Sequence, residues 1–209
     1  LWEVRFPRLV IALAVGAGLG CAGALLQGIF ANPLAEPSII GVSSGGAVFA
    51  SGLLAIASLA GVERSYGFLK WGTALAAFIG ALLTTLLVYS LSRVQGKTVV
   101  VNLILVGVAI NAMAGGFVTL FSFIGGTMAQ SQVVFWQLGS LAGAGWSSAV
   151  ITLIITVIGI VIACLCAPKM DLLALGENQA RHLGVNVERF RLCVIILVAA
   201  LVGVGVAFA

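Results

Sequence analysis

Three groups of residues have types and spacings that could support chemistry. Gly96-Lys97-Thr98 matches the end of a phosphate-binding loop, in which glycine-rich backbone and a lysine cradle a nucleotide. That loop also needs a preceding strand and a further glycine five residues earlier, where this chain has Leu91. Nucleotide binding is therefore not expected. His182 is the single histidine, so neither a histidine-built metal site nor a Ser-His-Asp triad can be assembled. The four cysteines (Cys21, Cys164, Cys166 and Cys193) lie in or beside apolar runs and lack the C-x-x-C spacing of zinc or redox sites. The reading is of no enzyme: catalytic residues none, cofactor none, metal none.

The composition explains why chemistry is so sparse. Of 209 residues, 8 % are charged and 62 % hydrophobic, with mean hydropathy +1.25, whereas a soluble domain runs near ~25 % charged. Such a chain cannot wet the surface of a globule. A soluble enzyme, a nucleic-acid binder and a disulfide-rich secreted module are excluded, so nucleic acid is no partner and membrane lipid is. Apolar runs at about 9–30, 42–60, 71–91, 99–124, 148–167 and 192–209 are each long enough to cross a bilayer as a helix that satisfies its own backbone. The expected fold class is all-α, a polytopic membrane protein forming one transmembrane domain over 1–209. Strands of a β-barrel would alternate polar and apolar instead. Ala12, Gly16, Gly20, Ala24 and Gly28 recur every four residues, a small face on which helix backbones approach closely. No Asp or Glu lies inside a span, so the buried carboxylate relay of a pump is not expected here. Asn102, Asn111, Thr84, Thr85 and Gln27 are the polar residues left to bridge helices or line a path.

Three connecting segments are unusual. Phe30 to Ser38 carries Pro33 and Pro37, which must end the first helix and make either a rigid bent connector or a plain two-proline turn; Ser43 or Ser44 can cap the helix that follows. Segment 125–146 suggests a short helix at a membrane surface, with Trp136 and Trp146 at belt positions. Segment 168–191 holds seven of the 16 charged residues together with Leu172, Leu173, Leu175 and Leu183. Pro168 is expected to end the fifth span, and Asp171 to open a short helix through Arg181. Glu177 and Arg181 form an i,i+4 pair, Gly184 suits a helix C-terminus, and Asn186 can cap the next helix. The result reads as a charged helical hairpin suited to docking another protein.

Alternating the loops puts Arg93, Lys97, Lys169, Arg181, Arg189 and Arg191 on one side and Arg5, Arg8, Arg64 and Lys70 on the other. The positive-inside rule makes the first side cytoplasmic. Leu1 would then start outside with no signal peptide to carry it there, so a span is expected before it, and the chain reads as an internal piece of a larger protein.

Arg5-Phe-Pro-Arg8, the glycine-rich first span ending at Gln27, Asn32-Pro-Leu-Ala-Glu-Pro37 with Gly41-Val-Ser-Ser-Gly-Gly-Ala47, Phe135-Trp-Gln-Leu-Gly-Ser140 with Trp146, and Leu175-Gly-Glu-Asn-Gln-Ala-Arg-His-Leu-Gly184 occur in this order. Together they resemble the FecCD family, permeases of ABC importers for iron–siderophore complexes, haem and cobalamin. The resemblance implies the type II importer permease fold, here without the first and the last three of ten spans. It implies a multi-pass protein of the cytoplasmic (inner) membrane, paired with a second permease subunit as a homodimer or pseudo-dimer. Its other implied partners are ATP-binding cassette ATPase subunits and an extracytoplasmic substrate-binding protein. ATPase coupling would fall on Leu175, Gly176, Glu177, Ala180, Arg181, Leu183 and Gly184. The inner gate of the translocation pathway would fall on Asn32, Leu34, Val99 and Val100. The cargo implied first is an iron chelate, siderophore or haem, with cobalamin as the alternative; an ion-coupled secondary transporter is the alternative from another class.

Overall fold

The structure is a computed structural model that describes residues 2–61 and 66–208. Leu1, Ala209 and Arg64 of the charge bias lie outside the described residues. Helices α1 (Arg5–Phe30), α2 (Val42–Leu59), α3 (Tyr66–Leu91), α4 (Val100–Ile124), α6 (Trp146–Ala174) and α8 (Val187–Phe208) form a bundle. Among the described residues these are six helices long and apolar enough to cross a membrane. Between them lie α5 (Gly126–Leu138), α7 (Glu177–His182), 3-10 turns at Pro37–Ile40 and Leu141–Gly143, and a hairpin of β1 (Arg93–Val94) and β2 (Lys97–Thr98).

The most buried of the six is α8. Its Val194, Ile195 and Val198 meet Leu26 and Ile29 of α1, Val88 of α3 and Leu103 of α4 in one cluster. Apolar side chains facing outward on α3, α4 and α6, such as Leu83, Leu105 and Ile158, are the expected surface of a bundle solvated by lipid.

Glycine sets how closely the helices cross. A Cβ on Gly45 of α2 would meet the Gly80 carbonyl at 2.5 Å, and one on Gly80 would meet the Gly45 carbonyl at 2.5 Å. The 3-10 turn crosses α4 in the same manner. A Cβ on Gly107 would fall far inside the Ile39 carbonyl oxygen. One turn along the same face, Asn111 Nδ2 donates to the Ser38 carbonyl (3.1 Å), and Ser44 Oγ of α2 donates to Asn111 Oδ1 (2.6 Å). Asn111 thus bridges three elements, as a polar residue inside a span was expected to do. Ser44 does not cap α2: Gly41, at φ +79°, occupies that place with no side-chain cap. Polar bonds inside a membrane bundle contribute about 0.6–2 kcal/mol, so Asn111→Ala should lower the thermal midpoint of the purified protein. Ser44→Ala should then add little to it, because both changes open one network.

The fifth span does not stop where the sequence suggests. Helix α6 runs through Pro168 to Ala174, and Asp171 lies inside it rather than opening a new helix. Proline deprives one carbonyl of its partner, but packing against a neighbour can hold a membrane helix together across it. Here Met170 lies directly over Gly28 of α1, where a side chain would collide with its Cε. The hairpin that follows is correspondingly shorter than 168–191.

At the end of the bundle away from α7, Arg8 Nη2 of α1 donates to the Ala142 carbonyl (3.0 Å) and Lys70 Nζ of α3 to that of Gly143 (2.7 Å). Trp2 packs on Trp146 at 5.4 Å between ring centroids. The 141–143 turn is thereby fastened to two helices.

Candidate functional site

The opposite end gathers the end of α1, the 3-10 turn, the β-hairpin, α7 and the start of α8. Helix α7 is bounded by glycines on both sides. Gly176 precedes it at φ +112° and Gly184 follows at φ +87°, values that side chains reach only with strain. At its end the Val185 amide donates to the Ala180 carbonyl and the Gly184 amide to that of Arg181, both 3.0 Å. This is a six-to-one closure around a left-handed residue, as Gly184 was expected to provide. Ala180 is fully buried against the bundle, while Leu175 and Leu183 flank the helix at 62 % and 61 % exposure. The hairpin therefore holds on by one face and offers two leucines, with Arg181 and His182, on the other.

Arg191 secures that grip. It is only 4 % exposed, and its Nη2 donates to Glu177 Oε1 at 2.5 Å and, more loosely, to the Ile29 carbonyl at 3.5 Å. Its Nη1 lies 3.6 Å from Glu188 Oε1. A buried cation without partners is strongly disfavoured, so α7 is tied to α8 by the residue that needs it. Glu177 also faces Arg181 at 3.6 Å, but that pair is exposed and contributes little.

Glu188 extends the network. Its Oε2 accepts from the Thr98 amide (3.1 Å) and the Thr98 hydroxyl (2.7 Å), and its own backbone carbonyl accepts from Tyr89 Oη (3.3 Å). Asn186 Oδ1 accepts from the Arg189 amide (3.2 Å), capping α8 as expected. Gly96-Lys97-Thr98 lies in the β-hairpin, where Gln95 (φ 49°) and Gly96 (φ 80°) make a two-residue turn. That is not the strand-to-helix loop a phosphate requires.

Of the four residues expected at the inner gate, two come together. Asn32 and Val100 line one narrow crevice with Ala35, Ile39 and Leu103. Leu34, 80 % exposed, and Val99, 37 % exposed, are not part of its lining. Asn32 also shapes its own turn, accepting the Leu34 amide at 2.9 Å. Sequence reasoning assigned Arg191 only to the charge bias and gave Glu188 and Thr98 no role. The Glu188-x-x-Arg191 spacing at the start of an apolar run was the available signal, since i,i+3 residues share a helix face.

Comparison with known proteins adds a second line of evidence. The profile of the FecCD transport family matches residues 1–209. The hemin transport system permease of Yersinia pestis is 34 % identical over 209 residues, covering 99 % of this chain and 61 % of the relative. A vitamin B12 import system permease of Vibrio vulnificus is 36 % identical over 207 residues, 99 % of this chain and 60 % of the relative. The chain thus spans about three fifths of the length of these curated relatives. A solved inward-facing ABC transporter, assigned to the metal-chelate type, superposes with a TM-score of 0.84 at 33 % identity, over 99 % of this chain and 63 % of that one.

Proposed function

Because the chain belongs to the FecCD transport family, we propose that it is membrane-spanning permease of an ABC importer that moves an iron chelate, siderophore-bound iron or haem, into the cell. Six apolar helices and the family make it a multi-pass protein of the cytoplasmic membrane. In this reading the α7 end faces the cytoplasm. The partners are two ATP-binding cassette subunits, a second permease subunit, and a binding protein that delivers cargo from outside. The ATPase chemistry belongs to the cassette subunits.

The observation that carries the reading is the construction of α7: glycines at both ends, Ala180 buried beneath, and Leu175 and Leu183 presented outward. Such an element can receive a push from another subunit and pass it to the bundle. ATP binding draws the cassettes together; α7 follows, and the crevice at Asn32 and Val100 changes width. A ligand can shift a conformational equilibrium only through differing contacts in the two states, so the contacts of α7 with the cassette must differ between them. Cobalamin is the second reading for the cargo, favoured by the vitamin B12 permeases among the relatives.

The test is uptake by liposomes containing the complete transporter and its binding protein, with haemin, a ferric siderophore and cyanocobalamin offered separately. Uptake of one iron chelate that requires hydrolysable ATP and ignores ionophores is expected. Uptake driven by an ion gradient without ATP would refute the importer class, and uptake of cyanocobalamin alone would replace the cargo.

A further inference from the structure

We propose that Glu188 and Thr98 are positioning residues that link the inner constriction to the coupling helix, so that displacement of α7 reaches Val100, by way of Val99, through a side-chain relay across α8. The proposal rests on the functional reading above, in which α7 receives the push and the crevice at Asn32 and Val100 changes width.

The relay on the structure is a chain of hydrogen bonds joined at its middle by an ion pair without a hydrogen bond. Glu177 of α7 holds Arg191 at 2.5 Å. Arg191 faces Glu188 at 3.6 Å. Glu188 then takes both donors of Thr98, the hydroxyl at 2.7 Å and the amide at 3.1 Å. Thr98 is followed directly by Val99, whose carbonyl accepts the Leu103 amide at 3.0 Å in the first turn of α4. The relay thus enters α4 at its first residues, beside Val100 and the crevice.

The route matters because the β-hairpin has little other attachment. Among the described residues, its hydrogen bonds to α8 are the two that Thr98 gives Glu188. Arg93 turns back onto Gly96 within the hairpin and lies over the Tyr89 ring at the end of the preceding helix. The central members are shielded: Arg191 is 4 % and Thr98 7 % exposed. A carboxylate that accepts two donors from one residue fixes it in direction as well as distance. Glu188 also lies on the same helix as Arg191, three residues before it, so a shift of the arginine that follows Glu177 moves the carboxylate with it. Side-chain networks of this kind can be worth more than the sum of their pairs, which double-mutant cycles measure.

Two measurements on the complete transporter test the link. The first compares ATP hydrolysis stimulated by the binding protein with uptake of the chelate that the unaltered transporter imports. Thr98→Val keeps the shape of the side chain and removes its hydroxyl donor. Uptake is expected to fall about tenfold, the size of effect that follows loss of a hydrogen bond to a charged acceptor, while hydrolysis and assembly persist. Thr98→Ser, which keeps the hydroxyl, restores uptake. Unchanged uptake in Thr98→Val, or hydrolysis falling in step with uptake, overturns the proposal.

The second measurement does not depend on transport. Glu177→Gln should speed hydrogen exchange in segment 93–99, and this effect should vanish when Glu188→Ala is already present. Exchange in 93–99 that ignores Glu177→Gln overturns the relay even in a working transporter. If the variants show this exchange coupling while the unaltered transporter shows no ATP-driven uptake, the importer reading is refuted and the relay stands.

Discussion

A transporter carrying Glu177→Lys and Gly184→Val should insert into the membrane and yet import nothing above background. Gly184 sits at φ +87°, where an L side chain costs about 1–2 kcal/mol and a β-branched one is a marked outlier. Relaxing that residue opens the closure of Val185 onto Ala180 and turns Leu183 away from its flanking position. Lysine at 177 withdraws the carboxylate held by Arg191 and sets a second cation beside it. Both changes fall outside the helices long enough to span, so insertion is untouched. Protein level in isolated membranes and uptake into vesicles are the two readouts. Normal uptake by this variant would overturn the proposed coupling role of α7.

The second large effect belongs to the fold. Gly107→Val should deplete folded protein almost completely, because its Cβ would intrude on the backbone carbonyl of Ile39. Backbone cannot step aside as the tip of a side chain can. Overpacking typically costs about 1–3 kcal/mol, and here the displaced turn also carries the Ser38 carbonyl away from Asn111. Gly115 and Gly116, on the same helix, have nothing within 4 Å of an added Cβ. Gly115→Ala is therefore the control and should leave the amount and thermal midpoint of the purified protein unchanged. Equal behaviour of the two variants would show that the crossing at Gly107 is not what holds the turn.

Much of the architecture is legible because the bilayer imposes one simple rule on each segment: apolar, long and helical. The positions of Gly184 and Asn186 were legible for a similar reason, since caps follow from one residue's backbone preference or side-chain reach. Where α6 would end was not legible. Pro168 carries a local stop signal, but the contact of Met170 with Gly28 comes from a helix about 140 positions away, and no local pattern announces it. Ser44 shows the same limit. Its type favours capping, and its hydroxyl is claimed instead by Asn111 of α4. The residues of the hairpin around α7 could be read as a group from charge and leucine content. Their inward connections could not, because Arg191 looks like one more topology charge until three elements converge on it. Asn32 and Val100 meet across a crevice that neither neighbourhood foretells.

Helix α7 is six residues long, far below the roughly 12–15 at which a helix sustains itself in water. Its shape is on loan from the bundle, through Ala180 beneath it and Arg191 beside it. Cut free, the segment has no conformation for an ATPase to recognise, and a bundle that has packed wrongly displays no epitope. If α7 is the element that a cassette subunit grips, as proposed, its borrowed shape also serves as proof of assembly: such a subunit could engage only a permease that has already finished folding.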